Sequence, residues 1–379
     1  MSLGNGQDSL WTQEEQAYWL AFDHMSGSGL GVARVKVLYD ALHTLKDAWH
    51  ASRDELISLK AIKDPEVLDS FIQRRKTIDP FALLAALERS GLRAYPFYHP
   101  LYPARLREIS DPPMILYVNG NLHPDYMRTT IGIVGTRRPT TYGQRHAKDI
   151  SRALAAAGAT VISGMAVGVD SLAHWGAIEG GGRTVAVLGC GADVCYPAGN
   201  RPLFKKLIEG DDGAVVSEFF PGTKPEPWRF PARNRIISGL SQAVLVIEAG
   251  ETSGSLITAK LAFEQNREVF SLPGRIDNPM SAGTNHLFKN NMAHVFLGVE
   301  DMLNELGWVS APVGKELPNV VELYGKEREV FELISYEPIH FDHLIERSGM
   351  AAGELSATLT MLELAGIVER LTGDWYSRH

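Results

Sequence analysis

The chain has 379 residues, of which 45% are apolar and 22% charged, and its formal net charge is −8. This composition is typical of a globular protein with two or three domains, and no apolar run reaches the roughly 20 residues that a membrane span needs. Residues 1–11 lack a signal-peptide pattern, and Cys190 and Cys195 are too few for a disulfide framework or a zinc site, so we expect a protein of the reducing cytoplasm.

Residues 1–94 are predicted to form a helical domain. Amphipathic stretches lie at Leu10–Phe22 and Val32–Leu42, Ser52-Arg-Asp-Glu55 is a capping-box pattern, and Phe71–Ser90 supplies one or two further helices with a break at Pro80. The Gly-rich turn at 27–31 allows two interpretations. It resembles a helix-hairpin-helix turn, which can grip a nucleic-acid backbone, and it also suits an ordinary connection in a small bundle.

Residues 95–307 are predicted to form an α/β domain with a mainly parallel sheet. Tyr95–Gly120 is Pro-rich and aromatic with little periodicity, so we expect an irregular lead-in that wraps onto the domain. Beyond it, short apolar runs alternate with helix-length segments, which indicates βαβ units. The predicted strands are Ile131–Val134, Thr160–Ser163, Thr184–Leu188, Ala214–Ser217, Ala243–Glu248, Glu268–Ser271 and His294–Phe296. The predicted helices are Tyr142–Ala157, Val169–Glu179, Arg201–Glu209 and Ser255–Gln265.

Residues 308–320 contain two prolines and a glycine and are predicted to be a linker, and residues 321–379 are predicted to form a winged-helix domain. The domain's pattern is three helical stretches followed by a β-hairpin. The helical stretches are Lys326–Tyr336, Phe341–Arg347 and Gly353–Leu364, and the hairpin spans Ile367–Tyr376. Residues 318–379 carry a net charge of −6, so this tail is not expected to bind a polyanion.

The loops that follow the predicted strands carry the functional signal, because ligands of parallel sheets bind beyond the carboxyl ends of the strands. Gly135 and Thr136 follow the first strand of the α/β pattern and precede a helix with Thr140 or Thr141 as its N-cap. A glycine turn below a helix N-terminus is an anion site, and the guanidinium groups of Arg137 and Arg138 suit phosphate. This segment therefore predicts a phosphate-binding site.

A second loop runs from Ser163 and Gly164 into a helix that contains Asp170 and His174. Asp170 lies in the first helical turn, where capping of N–H groups is favoured over a catalytic role. His174 could ligate a metal, but no third ligand is evident, so packing or capping is favoured. The next loop, residues 189–194, nearly matches a dinucleotide fingerprint but lacks its last glycine, which gives weak support for NAD.

The segment from Lys224 to Arg235 combines four basic residues with Trp228 and Phe230. Such a mixture suits single-stranded nucleic acid, because phosphates meet positive charge and bases stack on aromatic rings. Either aromatic residue could instead belong to the core. Arg233 or Arg235 could pair with an internal carboxylate such as Glu248.

The loop that follows Glu248 contains Ser253, Gly254 and Ser255. Its hydroxyls and open backbone suit a phosphate or a ribose, and Ser253 could equally serve as a helix N-cap. Walker A and Gly-x-Ser-x-Gly patterns are absent from the sequence, so we predict no catalytic residue, no metal and no cofactor.

Taken together, these loops resemble the DNA processing protein A (DprA/Smf) family over roughly residues 95–300. The helical domain and the winged-helix tail also match an arrangement known in that family. The motifs are Gly135-Thr-Arg-Arg-Pro-Thr-Thr-Tyr-Gly143, Ser163-Gly-Met-Ala-Val-Gly-Val-Asp-Ser-Leu-Ala-His174, Arg233-Asn-Arg-Ile-Ile-Ser-Gly-Leu-Ser241, Ser253-Gly-Ser-Leu-Ile-Thr-Ala259, Leu272-Pro-Gly274 and Gly283-Thr-Asn285.

The resemblance implies an extended Rossmann-like domain that binds single-stranded DNA, protects incoming DNA in natural transformation, loads the RecA recombinase and forms a homodimer. It implies a phosphate pocket made of Gly135, Thr136, Arg137, Arg138, Ser163, Gly164, Lys224, Arg233 and Asn234. The loop chemistry adds Arg235, Ser253, Gly254 and Ser255 as candidates.

Two other functions compete with this one. The first is a nucleotide-binding hydrolase of the lysine-decarboxylase-like Rossmann type, which would need paired carboxylates and a Gly-Gly-x-Gly-Thr loop, whereas this chain has Ser253-Gly-Ser255. The second is a winged-helix transcription factor with a ligand-sensing domain, against which the acidic tail argues.

Overall fold

The computed structural model describes residues 11–26, 29–308, 323–335 and 338–378. The chain forms two compact units, residues 1–311 and residues 312–379. The predicted linker, residues 308–320, lies outside the described residues except for Trp308.

The first unit begins with short helices that pack around aromatic side chains. Trp19, Phe22 and Phe71 are fully buried. The predicted capping box is confirmed, since Ser52 Oγ accepts from the Glu55 N–H at 3.3 Å and the Glu55 carboxylate accepts from the Ser52 N–H at 2.7 Å. The helices are α1 (Gln13–His24), α2 (Val32–Leu42), α3 (Leu45–His50), α4 (Arg53–Ser58), α5 (Pro65–Arg74) and α6 (Pro80–Ser90).

The turn between α1 and α2 is only partly described, because residues 27 and 28 lie outside the described ranges. Gly29 has a φ of 89° and Gly31 is the N-cap of α2. A nucleic-acid role for this turn stays a prediction.

In the described part of the chain, nine strands form one sheet in the order β1-β2-β6-β5-β4-β3-β7-β8-β9. All neighbours from β6 to β9 in this order are parallel, so the predicted mainly parallel sheet is confirmed. The chain moves from β3 to one side and later returns to the other side with β7, which makes the β3/β7 boundary the topological switch point. The strands are β1 (Arg93–Pro96), β2 (Ile115–Gly120), β3 (Thr130–Val134), β4 (Thr160–Ser163), β5 (Thr184–Val187), β6 (Gly213–Ser217), β7 (Ala243–Val246), β8 (Glu268–Ser271) and β9 (His294–Val295).

The expectation of an irregular lead-in at Tyr95–Gly120 was wrong. This segment contains the second half of β1 and all of β2, which pair antiparallel with each other, and β2 pairs antiparallel with β6. Residues 115–118 of β2 are buried. The pairing of β2 with β6 joins segments about 100 positions apart, so local periodicity gave little indication of it.

Helices cover both faces of the sheet. One apolar core joins α8 (Thr141–Ala156) and α9 (Val169–Glu179) to β3 and β7, and a second core continues from α11 (Arg229–Leu240) and α12 (Gly254–Glu264) across the sheet into the first helices. The helices beyond α6 in this unit are α7 (Ala104–Arg107), α8 (Thr141–Ala156), α9 (Val169–Glu179), α10 (Arg201–Glu209), α11 (Arg229–Leu240), α12 (Gly254–Glu264), α13 (Ala282–Lys289) and α14 (Val299–Glu305).

Helix α11 was missed in the sequence, where its first residues were interpreted as part of a loop. Pro231 lies in the first turn of this helix, where the absent N–H has no intrahelical partner to lose. The helical geometry decides which arginines of the basic segment point toward the same side.

The second unit is a winged helix with its own apolar core. Its helices end close to the predicted positions, except that α15 ends at Leu333 rather than Tyr336, which lies outside the described residues. The short strand β10 was not predicted. The elements are α15 (Lys326–Leu333), β10 (Ile339–His340), α16 (Phe341–Ser348), α17 (Ala352–Leu364), β11 (Val368–Leu371) and β12 (Trp375–Arg378).

Across the described ranges, none of the helices has the length and apolar character needed to cross a membrane.

Candidate functional site

A cavity of about 670 Å³ lies at the switch point, beyond the carboxyl ends of β3 and β7. We call it the rim cavity. A smaller cavity of about 110 Å³, the side cavity, adjoins it and shares part of its wall. The predicted site residues in the wall of the rim cavity are Gly135, Thr136, Arg137, Arg138, Arg233, Asn234, Ser253, Gly254 and Ser255.

The glycine turn after β3 brings two arginines to the rim cavity. A Cβ atom at Gly135 would lie 2.6 Å from Val169 Cγ2, so only glycine fits between β3 and α9. The Thr136 N–H donates to the Glu248 carbonyl at 2.7 Å, which ties the turn to the chain that follows β7. Arg137 and Arg138 are exposed at this turn.

The expectation of an anion site at the N-terminus of α8 was wrong, because an internal carboxylate occupies it. The buried Glu248 side chain accepts from the Thr140 N–H at 2.8 Å and from the Thr140 hydroxyl at 2.6 Å. Any side chain at Gly143 would collide with this carboxylate. A phosphate at the same helix end would face a buried negative charge, which disfavours binding there.

Asp170, like Glu248, is a buried carboxylate that bonds to a turn of the protein, here the turn after β4. Its carboxylate accepts from the N–H groups of Gly164 and Ala166 at 3.2 and 3.4 Å, so it bonds to the turn before α9 and not to the N–H groups of the helix that the capping interpretation named. Burial raises the pKa of Asp170, and the charge of Arg233 opposes that shift. Glu248 and Asp170 are therefore both engaged in internal hydrogen bonds.

Arg233 lies at the floor of the rim cavity and is only 5% exposed. Its Nη1 donates to the carbonyl of Gly164 at 2.8 Å and to the carbonyl of Val187. A Cβ atom at Gly164 would lie 2.5 Å from the guanidinium, so this glycine provides the space for it. Burial lowers the pKa of Arg233, and Asp170 opposes that shift. These contacts indicate that Arg233 stabilises the fold as a buried cation, and they leave little of its guanidinium exposed to a phosphate.

Arg235 does not reach either cavity, so its inclusion in the pocket was wrong. Its guanidinium forms a two-pronged pair with Glu218 at 2.6 and 2.7 Å and lies 3.3 Å from Asp111. Residues two apart on a helix face different sides, so Arg233 and Arg235 cannot both face the rim cavity. The internal carboxylate is Glu218, and the suggested partner Glu248 binds Thr140 instead.

Two other predicted residues also lie outside the cavity walls. Ser163 is buried and donates to the Ile133 carbonyl at 2.6 Å, so its hydroxyl joins β4 to β3 and is not open to a ligand. Lys224 is exposed, and its carbonyl accepts from Arg229. A phosphate contact by Lys224 stays a prediction.

The N-terminus of α12 opens onto the rim cavity. Ser253 is its N-cap and accepts from the Ser255 N–H at 3.4 Å, which confirms the capping interpretation. A Cβ atom added to the exposed Gly254 would meet nothing within 4 Å, and Asn234 Nδ2 donates to the Gly254 carbonyl at 3.3 Å. In the described part of the chain, no carboxylate is hydrogen-bonded to this helix end as Glu248 is to α8.

Aromatic rings form one side of the rim cavity. Tyr196 and Phe230 stack with their centroids 5.3 Å apart, and the Arg137 guanidinium lies 6.0 Å from the Phe230 ring. Trp228 is 60% exposed, so it is not a core residue, and Arg229 lies between it and Phe219 at 5.0 Å from each ring. The sequence interpretation missed Tyr196, whose only signal was an aromatic residue just beyond the glycine-rich loop.

The metal interpretation of His174 has no support in the geometry. The ring is fully buried and its Nδ1 bonds to Thr184 Oγ1 at 2.7 Å, so this is a packing histidine. Burial lowers the pKa of His174 to about 3, and Arg233 adds to the shift. Within the described ranges, no group of three or more His, Cys, Asp or Glu side chains could hold a metal ion.

A mainly parallel sheet with a cavity at its switch point, lined by arginines and an open helix N-terminus, defines an extended Rossmann-like protein. Residues 93–307 match the family model "DNA recombination-mediator protein A", and residues 316–374 match the model "DprA winged helix domain". The chain belongs to the DNA recombination-mediator protein A family.

Its relatives extend over most of the chain. It is 36% identical to Protein Smf of Synechocystis sp. over 96% of this chain and 99% of that protein. It is 39% identical to DNA processing protein DprA of Bacillus subtilis over 59% of this chain and 74% of that protein. The X-ray structure of DNA processing protein A from Streptococcus pneumoniae superposes with a TM-score of 0.66 at 32% identity, covering 76% of this chain and 97% of that one.

Proposed function

We propose that this protein binds single-stranded DNA in the rim cavity, protects incoming DNA during natural transformation and loads RecA onto it, without catalysing a reaction. The family assignment supports a role in DNA processing. The observation that carries the binding proposal is the combination, in one cavity, of an open helix N-terminus, exposed arginines and a stacked aromatic pair. RecA loading and a homodimer rest on the family resemblance alone.

The charges of the rim cavity suit a phosphodiester backbone. Arg137 and Arg138 are exposed, and within the described residues neither is ion-paired with a carboxylate. The N–H groups at the start of α12 lie beside them as uncharged donors, together with the hydroxyls of Ser253 and Ser255, which bond to each other at 2.8 Å and leave one hydroxyl proton for a ligand. One phosphate on α12 and a neighbouring phosphate on the arginines would use the whole donor set.

The aromatic side of the cavity favours a single strand over a duplex. The Tyr196–Phe230 pair presents ring faces that an unstacked base can contact, whereas the bases of a duplex are stacked on one another. Stacking tolerates any base, so we expect little sequence preference and roughly 1–3 kcal/mol per stacked base.

The rival hydrolase would need a carboxylate free to act as a general acid or base. Asp170 is the carboxylate in the wall of the rim cavity, Glu248 lies behind the turn that follows β3, and both accept hydrogen bonds from the protein's own loops. Their geometry supports a structural role in shaping the turns. The absence of Lys and Arg from α17 likewise disfavours the transcription-factor alternative.

Arg137→Ala tests the proposal, with Arg152→Ala as the matched control. Arg152 is exposed on α8 and paired with Asp149. Arg137→Ala should weaken oligo-dT binding about 10- to 100-fold, since hydrogen bonds to charged groups contribute roughly 1.5–3 kcal/mol. The log–log salt slope should fall by about 0.7 for each phosphate that the variant no longer neutralises.

Thermal melting of both variants should match the wild type, because each side chain is exposed. Duplex DNA should compete poorly against the single strand. Unchanged oligo-dT affinity in Arg137→Ala, or equal competition by duplex, would contradict the proposal. Tight binding of a nucleoside monophosphate with no binding of oligo-dT would favour the rival.

A further inference from the structure

Helix α10 presents a basic side to solvent. Arg201, Lys205 and Lys206 are exposed, whereas Leu203 and Phe204 are buried against the rest of the unit. Residues 196–208 contain these three basic residues and no Asp or Glu, and α10 ends at the exposed Glu209, four residues after Lys205, so the basic charge is concentrated at the start and middle of the helix. Arg201 and Lys205 are four residues apart, so they lie on one side of the helix about 6 Å apart along its axis.

This basic side begins at the wall of the two cavities. Tyr196 lines both of them, Pro197 lines the side cavity, and α10 starts four residues later. Asn200 Nδ2 donates to the Met165 carbonyl at 2.7 Å, which holds the start of the helix against the turn that follows β4. Arg201 lies close enough to Cys195 to oppose the rise that burial causes in the pKa of its thiol.

The neighbouring basic residues differ in having carboxylate partners. Lys148 is 2.9 Å from Glu179, and Arg183 is 3.8 Å from Asp212. In the parts of the chain that the structure describes, none of the three α10 residues forms such an ion pair. Their charge is therefore available to an external anion, and the helix that carries it begins four residues beyond the cavity wall.

We propose that Arg201, Lys205 and Lys206 form a backbone guide that binds the phosphates of single-stranded DNA outside the rim cavity. The proposal rests on the proposed function and adds a path for the strand. The guide extends away from the rim, because α10 connects the parallel neighbours β5 and β6 and so runs back from the carboxyl-end edge of the sheet. It makes affinity depend on oligonucleotide length.

The test compares an oligo-dT of about 4 nucleotides with one of about 20 in the full chain. Lys205→Glu/Lys206→Glu should weaken binding of the long oligonucleotide about tenfold or more and reduce its salt slope by about 1.4, at about 0.7 per phosphate. Affinity for the short oligonucleotide should stay within about twofold, because the cavity itself is unchanged.

The matched control is Lys63→Glu/Lys76→Glu, which changes the net charge equally at exposed positions that flank α5. Equal weakening by the two double variants would overturn the guide, because net charge alone would then explain it. Unchanged long-oligonucleotide affinity in the α10 variant would also overturn it. If the wild type bound neither oligonucleotide, the proposed function would fail together with the guide. If the wild type bound both and the α10 variant bound them equally well, the guide alone would fail and the proposed function would stand.

Discussion

Arg233→Ala separates a structural arginine from a ligand-binding one. In the wild type the guanidinium is buried, donates to two carbonyl groups and faces the buried Asp170 carboxylate. Its removal leaves Asp170 without its compensating charge and leaves the Gly164 and Val187 carbonyls without these donors. We expect Arg233→Ala to destabilise the first unit strongly, whereas Arg137→Ala should not.

The magnitude follows from the burial. Removing one partner of a buried charge pair costs about 3–5 kcal/mol, and a buried carbonyl left unsatisfied costs about 1–3 kcal/mol. These contributions share one network and do not add, so we expect a total of about 3–5 kcal/mol. At roughly 2 °C per kcal/mol for a large domain, the melting temperature should fall by about 6–10 °C.

Differential scanning calorimetry of the full chain measures this shift. Adding Asp170→Asn to Arg233→Ala should recover part of the loss, because the double variant no longer contains an uncompensated buried charge. A variant Arg233→Ala that melts like the wild type but fails to bind oligo-dT would refute this reasoning. In that case Arg233 would be a direct DNA contact, as the sequence resemblance implies.

Two further predictions concern pH and the second unit. The folded-state pKa of His174 is about 3, below its ordinary value of 6.5, so its contribution to stability is present above pH 6.5 and is lost as the pH falls toward 3. Between these pH values His174 lowers the wild type's free energy of unfolding by up to about 1.4 kcal/mol for each pH unit of decrease, and the His174→Asn variant should lack this contribution. Equal pH slopes in denaturant titrations of the two proteins would contradict this. Truncation after Trp308 should leave affinity for oligo-dT nearly unchanged, because α17 contains Glu354 and Glu363 but no Lys or Arg; loss of binding by a folded truncated protein would contradict it.

Features specified by neighbouring residues were predictable from the sequence. The capping box of Ser52 and Glu55 and the N-caps Thr140 and Ser253 each depend on hydrogen bonds that span three residues or fewer. The parallel strands could be predicted from short β-branched runs, because strands buried on both faces need continuous apolar segments. The position of the cavity followed from the alternation of strands and helices.

Features that depend on distant partners were not predictable. Glu248 caps the start of α8 across 108 positions, and no local pattern indicates that it would occupy the expected anion site. Arg233 and Arg235 have opposite environments because they point to different sides of α11. This helix was not predicted, because prolines at 225, 227 and 231 lie close to its start. Strand β2 pairs with β6 across about 100 residues, which again leaves little local trace.

The central claim, that a DNA phosphate binds at the N-terminus of α12, is tested most directly by Ser253→Asp. Aspartate is as good an N-cap as serine, so the helix should keep its stability, while the new carboxylate would occupy the helix end and repel a phosphate. Ser52→Asp is the control, since it makes the same change at the N-cap of α4. We predict at least a tenfold loss of oligo-dT affinity, about 1.4 kcal/mol, in Ser253→Asp alone, with melting temperatures unchanged in both variants. Wild-type affinity in a folded Ser253→Asp protein would contradict the account.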